Sequence, residues 1–243
     1  MASEYWNLTT GGPDYDAGSA TLSNTPFTIN LWYKPYSTAI GFGQLSIAGV
    51  GSGAAQGGQS ARSRHVLSHD YNNNNLVYSA YANNSSFSTC TTTTTATYDA
   101  WNMATAVAVA NNDRTVYLNG GGSATSTVTR AVQLPDRYVI GGYWIGDSID
   151  GGGAVNEFEG AIAEYAIWNT NLTAAEIASL YTGVKATAIR PNNLVVYLPL
   201  TREHFDIKGN TTTLDIQYNY LDLFPDFTDN TVDGVVNHVR RYG

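Results

Sequence analysis

The sequence predicts an all-β protein built as an antiparallel β-sandwich, with one short α-helix near 174–182 and a C-terminal extension. Three observations predict this fold. Short segments of alternating apolar and polar residues recur along most of the chain, which is the period of a strand. Clusters of Gly, Asn and Asp separate several of these segments, as they do at turns. The length of 243 residues suits a sandwich that forms a single domain.

The first strands follow from composition and alternation. Residues 1–26 are punctuated by Gly and Pro, and we predict a single edge strand near 18–23. In 27–35 the apolar residues alternate, so one face is buried, while Trp32 adds apolar area on the other face. The alternating apolar residues of this strand are Phe27, Ile29, Leu31 and Tyr33.

The middle of the chain continues this pattern. A strand near 44–50 leads into the Gly/Ser-rich stretch 49–64, interpreted as a flexible surface connection or as a contact arm for a neighbouring subunit. The Thr-rich run 88–98 has high β propensity and no strand-breaking residue. Further strands are predicted at 65–71, 76–82, 88–98, 101–110, 115–120, 137–142, 158–168 and 190–200.

A single short helix follows the strand that ends near Trp168. Thr173 and Glu176 have the spacing of a capping box, which satisfies backbone N–H groups at a helix start. Leu172 and Ile177 are placed as a hydrophobic staple. Gly183 suits the position after the helix, where a left-handed residue ends it.

These segments resemble the laminin-G-like, concanavalin A-like jelly-roll family. The strand 27–35 and the VYLNG turn at 116–120 are similar to two upstream motifs of that family. The resemblance implies a jelly-roll sandwich, a fold that hosts lectins, hydrolases, adhesion modules and structural proteins alike. The closing strand and helix carry the family pattern at Phe158, Gly160, Ile162, Glu164, Ile167, Trp168, Asn169, Leu172, Thr173, Glu176 and Ile177.

The domain organisation follows from the extent of that resemblance, which covers roughly residues 20–183. We predict a jelly-roll sandwich over 1–200 and a C-terminal extension or arm over 201–243. The segment 190–200 and the DIKGN turn at 206–210 leave two alternatives open, a return strand that completes the sandwich or a small second β unit. Residues 215–243 have few alternating runs and are interpreted as an arm ordered by a partner.

Composition narrows the classes of partner. The chain has 20 acidic and 12 basic side chains, a net charge of −8, which disfavours nucleic acid and anionic membranes. Its single cysteine, Cys90, cannot form an internal disulfide and is predicted to be a buried small side chain. The first residues do not have the pattern of a secretory signal, so synthesis in a cytoplasm is expected.

The sequence has few of the residue patterns that are typical of catalytic sites. Glu157, Glu159 and Glu164 come nearest to the carboxylate pair of a glycoside hydrolase, but the spacing E-x-D-x-x-E is absent. We therefore predict that Glu157 and Glu159 are solvated and that no residue is catalytic. His65 and His69 share one face of a strand about 13 Å apart, too far for one zinc ion.

A candidate ligand site lies in the acidic, Gly-rich stretch 146–157 and the two aromatic residues before it. Aromatic faces can stack on a sugar, and carboxylate and amide oxygens can bind calcium. No cofactor is expected, with calcium as the one ion worth testing; Asp14 and Asp16 form a second acidic pair. The candidate residues are Tyr143, Trp144, Asp147, Asp150 and Asn156, of which Asp147 and Asp150 are the calcium candidates.

The function expected from the sequence is a non-enzymatic virion protein of a tailed bacteriophage. A lectin-type sandwich that resembles phage structural proteins, with only 13% charged residues, suits a subunit covered by its neighbours. Capsid decoration is the first interpretation and a tail or fibre component the second. The expected partners are the major capsid protein, neighbouring virion subunits and further copies of this chain, with the virion as location. The alternative is a carbohydrate-binding module that contacts a host glycan.

Overall fold

In the part of the chain that the structure describes, two antiparallel sheets of seven strands each form a β-sandwich, which confirms the all-β prediction. The structure is a computed structural model. It describes residues 6–8, 15–19, 22, 24–39, 43–51, 63–83, 85–132, 137–142, 144–145, 148–149, 158–200 and 212–215.

The strands are numbered in chain order. They are β1 (Trp6–Leu8), β2 (Tyr15–Ser19), β3 (Phe27–Pro35), β4 (Gln44–Gly51), β5 (Arg64–Asp70), β6 (Asn75–Asn83), β7 (Ser86–Thr95), β8 (Asn102–Ala110), β9 (Asp113–Leu118), β10 (Gly122–Ser126), β11 (Arg137–Ile140), β12 (Trp144–Ile145), β13 (Ser148–Ile149), β14 (Gly160–Trp168), β15 (Leu194–Leu198) and β16 (Thr212–Asp215). The α-helix α1 spans Ala174–Tyr181, and 3-10 turns occur at Ser37–Ala39 and Ala186–Ala188.

The first sheet has the strand order β1-β14-β3-β8-β9-β10, and β15 also pairs with β14. The second sheet has the order β16-β2-β11-β4-β5-β6-β7. Strands β12 and β13 form a separate two-stranded hairpin. No helix in the described ranges has the length and apolar character needed to cross a membrane.

The core between the sheets is built from the alternating residues of the strands. Phe27, Ile29, Leu31 and Tyr33 of β3 are fully buried and belong to this core, as the sequence predicted. Trp32 lies on the opposite face of β3 and packs against a second, outer cluster of apolar residues under α1. Both faces of this central strand are therefore covered, one by the second sheet and one by the helix.

Strand β8 shows why alternation alone does not say which face is the inner one. Its alanines, Ala104, Ala106 and Ala108, face the second sheet, whereas Met103 and Val107 belong to the outer cluster. The inter-sheet core holds many large aromatic side chains, so small residues on β8 leave the space that these rings require. The larger residues then fill the gap beneath the helix.

A β-bulge at Glu164 of β14 changes which side chains face the second sheet. Ile162, before the bulge, and Tyr165 and Ile167, after it, all lie in the inter-sheet core, although they do not share one alternation. The register with β3 shifts at this point, and Glu164 has a φ of 55°. Because the bulge inserts one residue, Trp168 is directed to the outer cluster instead.

Close packing explains why a glycine stands at Gly160 of the family pattern. A Cβ atom at this position would collide with the carbonyl oxygen of Lys34 on β3 and with the ring of Phe158. The absence of a side chain lets Phe158 turn back into the core, where it is 2% exposed. This close approach is what the Phe-x-Gly part of the motif provides.

Helix α1 ends and begins as predicted. The Thr173 N–H donates to Oε2 of Glu176 at 2.7 Å, and the Glu176 N–H donates to Oγ1 of Thr173 at 3.3 Å, which is the capping box. At the other end, Gly183 has a φ of 100°. The N–H groups of Gly183 and Val184 donate to the carbonyls of Leu180 and Ser179, each at 3.1 Å, which closes a Schellman motif.

Arg190 fixes the start of the helix from outside. Its Nε and Nη2 donate to the two carboxylate oxygens of Glu176 at 2.6 and 3.0 Å. The hydrogen bond from Arg190 is the main reason that the pKa of Glu176 is lowered to about 2. Strand β3 is joined to the same region, since the Thr28 hydroxyl donates to the Thr170 carbonyl at 2.8 Å and accepts from the Leu172 N–H at 3.0 Å.

Several strand boundaries differ from the predictions. One lead-in strand was predicted near 18–23, whereas the structure has two strands in this part of the chain, β1 and β2, of which β2 overlaps the predicted range at its last two residues. Strand β2 is not at an edge, since β16 and β11 pair with its two sides. Strand β10 was not predicted, because its small polar residues pair with β9 without an apolar alternation.

Two histidines on β5 are buried between the sheets. His65 and His69 are 1% and 0% exposed, and both lie on β5 as predicted. Burial, with a smaller contribution from Arg114, lowers the pKa of His65 to about 3. Burial also lowers the pKa of His69 to about 4, although the nearby Asp70 opposes this shift. Both side chains are therefore neutral in the folded protein at pH 7.

Mild acid is expected to destabilise the fold. The unfolded chain protonates histidine below about pH 6.5 whereas the folded chain does not do so until about pH 3–4, so protons favour unfolding in this window. The free energy of unfolding has its full value above pH 6.5. At pH 5 it is lower by about 2 kcal/mol for each of the two histidines. Urea unfolding at pH 7.5 and pH 5 measures the difference.

His69→Phe is the variant that isolates one of these contributions. Neither ring nitrogen of His69 has a hydrogen-bond partner among the described residues, and the ring lies against Tyr33, Tyr71 and Tyr98. The substitution should therefore fold and should lose about half of the pH dependence. An unchanged pH dependence would show that His69 does not contribute to the loss of stability in acid.

Candidate functional site

A cleft on the outer surface of the first sheet is the candidate functional site. It lies where the C-terminal end of α1 meets β3 and β14, and its volume is about 260 Å³. Its walls combine aromatic rings, one carboxylate and one ammonium group. The lining residues are Trp32, Trp101, Ala163, Glu164, Leu180, Tyr181, Thr182, Gly183, Val184 and Lys185.

Two stacked aromatic rings form one wall of the cleft. Trp32 of β3 and Tyr181, the last residue of α1, have ring centroids 5.7 Å apart and an angle of 14° between their planes. Tyr181 is 43% exposed, whereas the other tyrosines whose burial the structure describes are buried or half-buried. The wall therefore offers ring surface to solvent at a fixed position.

The VYLNG turn holds Tyr181 in place. Asn119 and Gly120 have φ values of 53° and 75°, as the two central residues of a tight hairpin turn between β9 and β10 require. A Cβ atom on Gly120 would lie 2.7 Å from the Cβ of Tyr181. The glycine is therefore needed twice, once for the turn and once for the close approach of the tyrosine.

Glu164 and Lys185 supply the charges of the cleft. Oε1 of Glu164 is 3.0 Å from Nζ of Lys185, and Oε2 accepts a hydrogen bond of 2.6 Å from the hydroxyl of Tyr197. Burial and the hydrogen bond to Glu164 raise the pKa of Tyr197, so the tyrosine remains the donor at neutral pH. The carboxylate is thus held in one orientation from two sides.

The arrangement is suited to binding. Most glycoside hydrolases use two carboxyl groups on either side of the scissile bond, and among the described residues that line the cleft Glu164 is the one carboxylate. Ring surface beside hydrogen-bonding groups is the combination that orients a ligand with an apolar face and polar edges.

A comparison with protein families shows the superfamily to which the chain belongs. A profile described as the concanavalin A-like lectin/glucanases superfamily matches residues 9–178, which is more than half of the sequence. The chain belongs to this superfamily. The resemblance inferred from the sequence motifs is therefore confirmed, and so is the jelly-roll prediction.

Solved structures of other jelly-roll sandwiches have the same fold. A heptameric pentraxin of the horseshoe crab Limulus polyphemus matches with a TM-score of 0.60 and 16% identity, over 88% of this chain and 95% of that one. A putative carbohydrate-binding protein of Bacteroides ovatus matches with a TM-score of 0.55 and 16% identity, over 87% of this chain and 61% of that one.

A sialidase module is a third similar structure. The carbohydrate-binding module CBM40 of the Ruminococcus gnavus IT-sialidase, bound to α2,3-sialyllactose, matches with a TM-score of 0.51 and 16% identity, over 74% of this chain and 97% of that one. At this identity the likeness concerns the fold alone. No curated protein sequence matches the chain.

The site predicted from the sequence lies mostly outside the described residues of this lectin-type sandwich. Tyr143, Asp147, Asp150 and Asn156 fall outside them, and Trp144 lies in β12. Among the residues that the structure describes, no three His, Cys, Asp or Glu side chains are grouped as a metal ion requires. The calcium and stacking roles of these residues, and of the pair Asp14 and Asp16, stay predictions.

The prediction that Glu159 is solvated was wrong. The residue is only 9% exposed, because it directly precedes β14 and contacts Tyr71 and Thr38. The Thr38 hydroxyl donates to Oε1 of Glu159 at 2.9 Å, and the Tyr71 hydroxyl donates to its backbone carbonyl. Glu157 lies outside the described residues. Cys90 is buried at 6% exposure, as predicted.

The cleft is not apparent from the sequence because Trp32 and Trp101 lie far along the chain from 163–185, the segment that supplies its other lining residues. The sequence places Trp32 on the second face of a strand and Glu164 in a structural motif, but no local pattern joins the two. The signal that could have been used is Tyr181, an aromatic residue on the last turn of a short helix whose apolar face is already supplied by Ile177 and Leu180.

Gly120→Ala should disturb the cleft from a distance. The added Cβ meets Tyr181 and is strained at a φ of 75°, so the aromatic wall moves and stability falls by roughly 1–3 kcal/mol. Urea unfolding measures the stability, and tryptophan fluorescence reports the altered contact between Trp32 and Tyr181.

Gly121→Ala is the matched control. A Cβ atom at this neighbouring glycine would have nothing within 4 Å. It should change neither the fluorescence nor the stability by more than about 0.5 kcal/mol. Equal effects of the two substitutions would show that the turn, and not the contact with Tyr181, is responsible.

Proposed function

We propose that this chain is a non-catalytic carbohydrate-binding domain and that its ligand lies in the cleft between Trp32, Tyr181 and Glu164. The observation that carries the proposal is an exposed aromatic ring, fixed by stacking, beside a carboxylate fixed by Tyr197. Sugar rings present C–H groups on their faces and hydroxyls at their edges, so this pairing of surfaces is complementary to them.

The comparisons support the same class of ligand. The Ruminococcus module is described in complex with a sialylated sugar, and the Bacteroides protein as a putative carbohydrate-binding protein. These properties belong to those proteins, and their identity to this chain is only 16%. They favour carbohydrate binding over other uses of the fold, whereas the ligand and the site are proposed from the cleft itself.

Removing the exposed ring should weaken sugar binding. Tyr181→Ala deletes half of the aromatic wall, and we expect at least a tenfold loss of affinity, about 1.4 kcal/mol. A glycan array with the intact chain identifies the ligand, and isothermal titration with that glycan measures the affinity.

Phe87→Ala is the matched control for this experiment. Phe87 is another exposed aromatic residue, 49% exposed, but it lies on β7 of the second sheet, where it stacks on Tyr81. We expect its removal to leave the affinity unchanged. If Phe87→Ala weakened binding and Tyr181→Ala did not, the ligand would bind on the second sheet and the proposed site would be wrong.

Attachment to a phage particle is the second candidate function. The low charge of the chain, 13% of its residues, favours a surface that is covered by neighbouring subunits, and a decoration protein can also contact host glycans. The major capsid protein, a homo-oligomer on the particle and location in the virion remain part of this candidate. The arm at 201–243 lies outside the described residues except for β16, which pairs with β2 of the sandwich.

Co-sedimentation with stripped phage particles tests this second candidate. The full chain should bind with a fixed copy number, and deletion of 215–243 should abolish binding while the sandwich stays folded. Binding that is lost in EDTA would add calcium to the mechanism. Undiminished binding of the truncated chain would show that the arm is not the attachment site.

A further inference from the structure

The backbone of Glu164 is held in a conformation that costs free energy for a residue with a side chain. Its φ is 55°, in the left-handed region that glycine adopts freely. The β-bulge alone does not require a glutamate, because glycine would satisfy the same backbone without strain. Because a glutamate is strained at this position, its carboxylate is expected to have a function.

The ion pair between Glu164 and Lys185 orients the carboxylate more than it stabilises the fold. The side chain of Lys185 is 68% exposed, and an ion pair with so exposed a partner contributes little to stability. The hydrogen bond from Tyr197 fixes Oε2 and leaves the carboxylate at the cleft wall. A strained residue whose contacts mainly position one group is typical of a binding site.

The pair also keeps hydrogen-bonding capacity for a ligand. Each carboxylate oxygen can accept more than one hydrogen bond, and the ammonium of Lys185 carries three donors. Among the described residues, Tyr197 uses one acceptor and the ion pair joins Oε1 to Nζ at 3.0 Å. Acceptors and donors thus stand side by side, at a spacing similar to that of two neighbouring hydroxyls on a sugar ring.

We propose that Glu164 and Lys185 together bind two adjacent hydroxyl groups of a neutral pyranose, one donating to the carboxylate and one accepting from the ammonium. This inference rests on the proposed function of the cleft. Among the described residues that line the cleft, Lys185 is the one cation, and Glu164 already neutralises it, so no charge is left for an acidic sugar. The net charge of −8 further disfavours anionic ligands.

Replacing Glu164 by glycine separates the structural role from the binding role. We place Glu164→Gly in a Tyr197→Phe background, so that no tyrosine hydroxyl loses its partner, and compare it with Tyr197→Phe alone. The double variant should be at least as stable as its parent, because glycine removes the strain, but should bind sugar at least tenfold more weakly. A double variant that is less stable and binds equally well would overturn the proposal.

The ligand class is tested with defined sugars and the full chain. Methyl glucopyranoside and methyl galactopyranoside should quench tryptophan fluorescence, while analogues that lack one hydroxyl of the bound pair, and the methyl glycoside of N-acetylneuraminic acid, should bind at least tenfold more weakly. Lys185→Met should remove most of the discrimination between the parent sugars and their deoxy analogues. Stronger binding of the acidic methyl glycoside than of the neutral sugars would overturn the proposed ligand class.

These variants distinguish an error in the proposed hydroxyl contacts from an error in the proposed binding site. If Tyr181→Ala abolishes binding while the Glu164 and Lys185 variants bind normally, the cleft is the site but the hydroxyl pair is not recognised as proposed. If neither set of variants changes the affinity, or if no sugar binds, both the proposed function of the cleft and its ligand class are wrong.

Discussion

The β-bulge at Glu164 is the constraint on which the arrangement of the protein depends. It inserts one residue into β14, the strand that pairs with β1, β3 and β15 in the first sheet. Because of this insertion, Tyr165 and Ile167 continue the inter-sheet core that Ile162 begins, while Trp168 supports the helix on the outer side. The same bulge places the Glu164 carboxylate in the cleft. Core packing, helix docking and the candidate site therefore share one local feature of the backbone.

The cleft is assembled by contacts that pass between distant parts of the chain. The turn at Gly120 approaches Tyr181, Tyr181 stacks on Trp32, and the helix that carries Tyr181 is fixed at its start by Arg190 and Glu176. Each contact constrains the next, and together they hold the two rings in position. A binding site built on strands and a capped helix is largely pre-formed, which lowers the entropic cost of holding a ligand. This rigidity is compatible with recognition by a few aromatic and hydrogen-bonding groups.

Local patterns predicted much of this fold because the forces behind them are local. The alternation in 27–35, the capping box at Thr173 and Glu176, and Gly183 after the helix were all confirmed. Predictions failed where a residue's environment is supplied by another segment. Glu159 was expected in solvent but is buried beneath Thr38 and Tyr71. The alanine face of β8 could not be recognised as the inner one, because the large rings that occupy the space beside it come from other strands.

The sequence by itself determined the fold class, the position and caps of the helix and the family to which the chain belongs, since each depends on residues close together along the chain. Only the tertiary structure decided where a ligand is proposed to bind. Trp32 lies far along the chain from Glu164 and Tyr181, and no local pattern joins it to them. Sheet pairing, the bulge and helix docking bring them together at one cleft. A site of this kind follows from packing, and packing is a property of the whole folded chain.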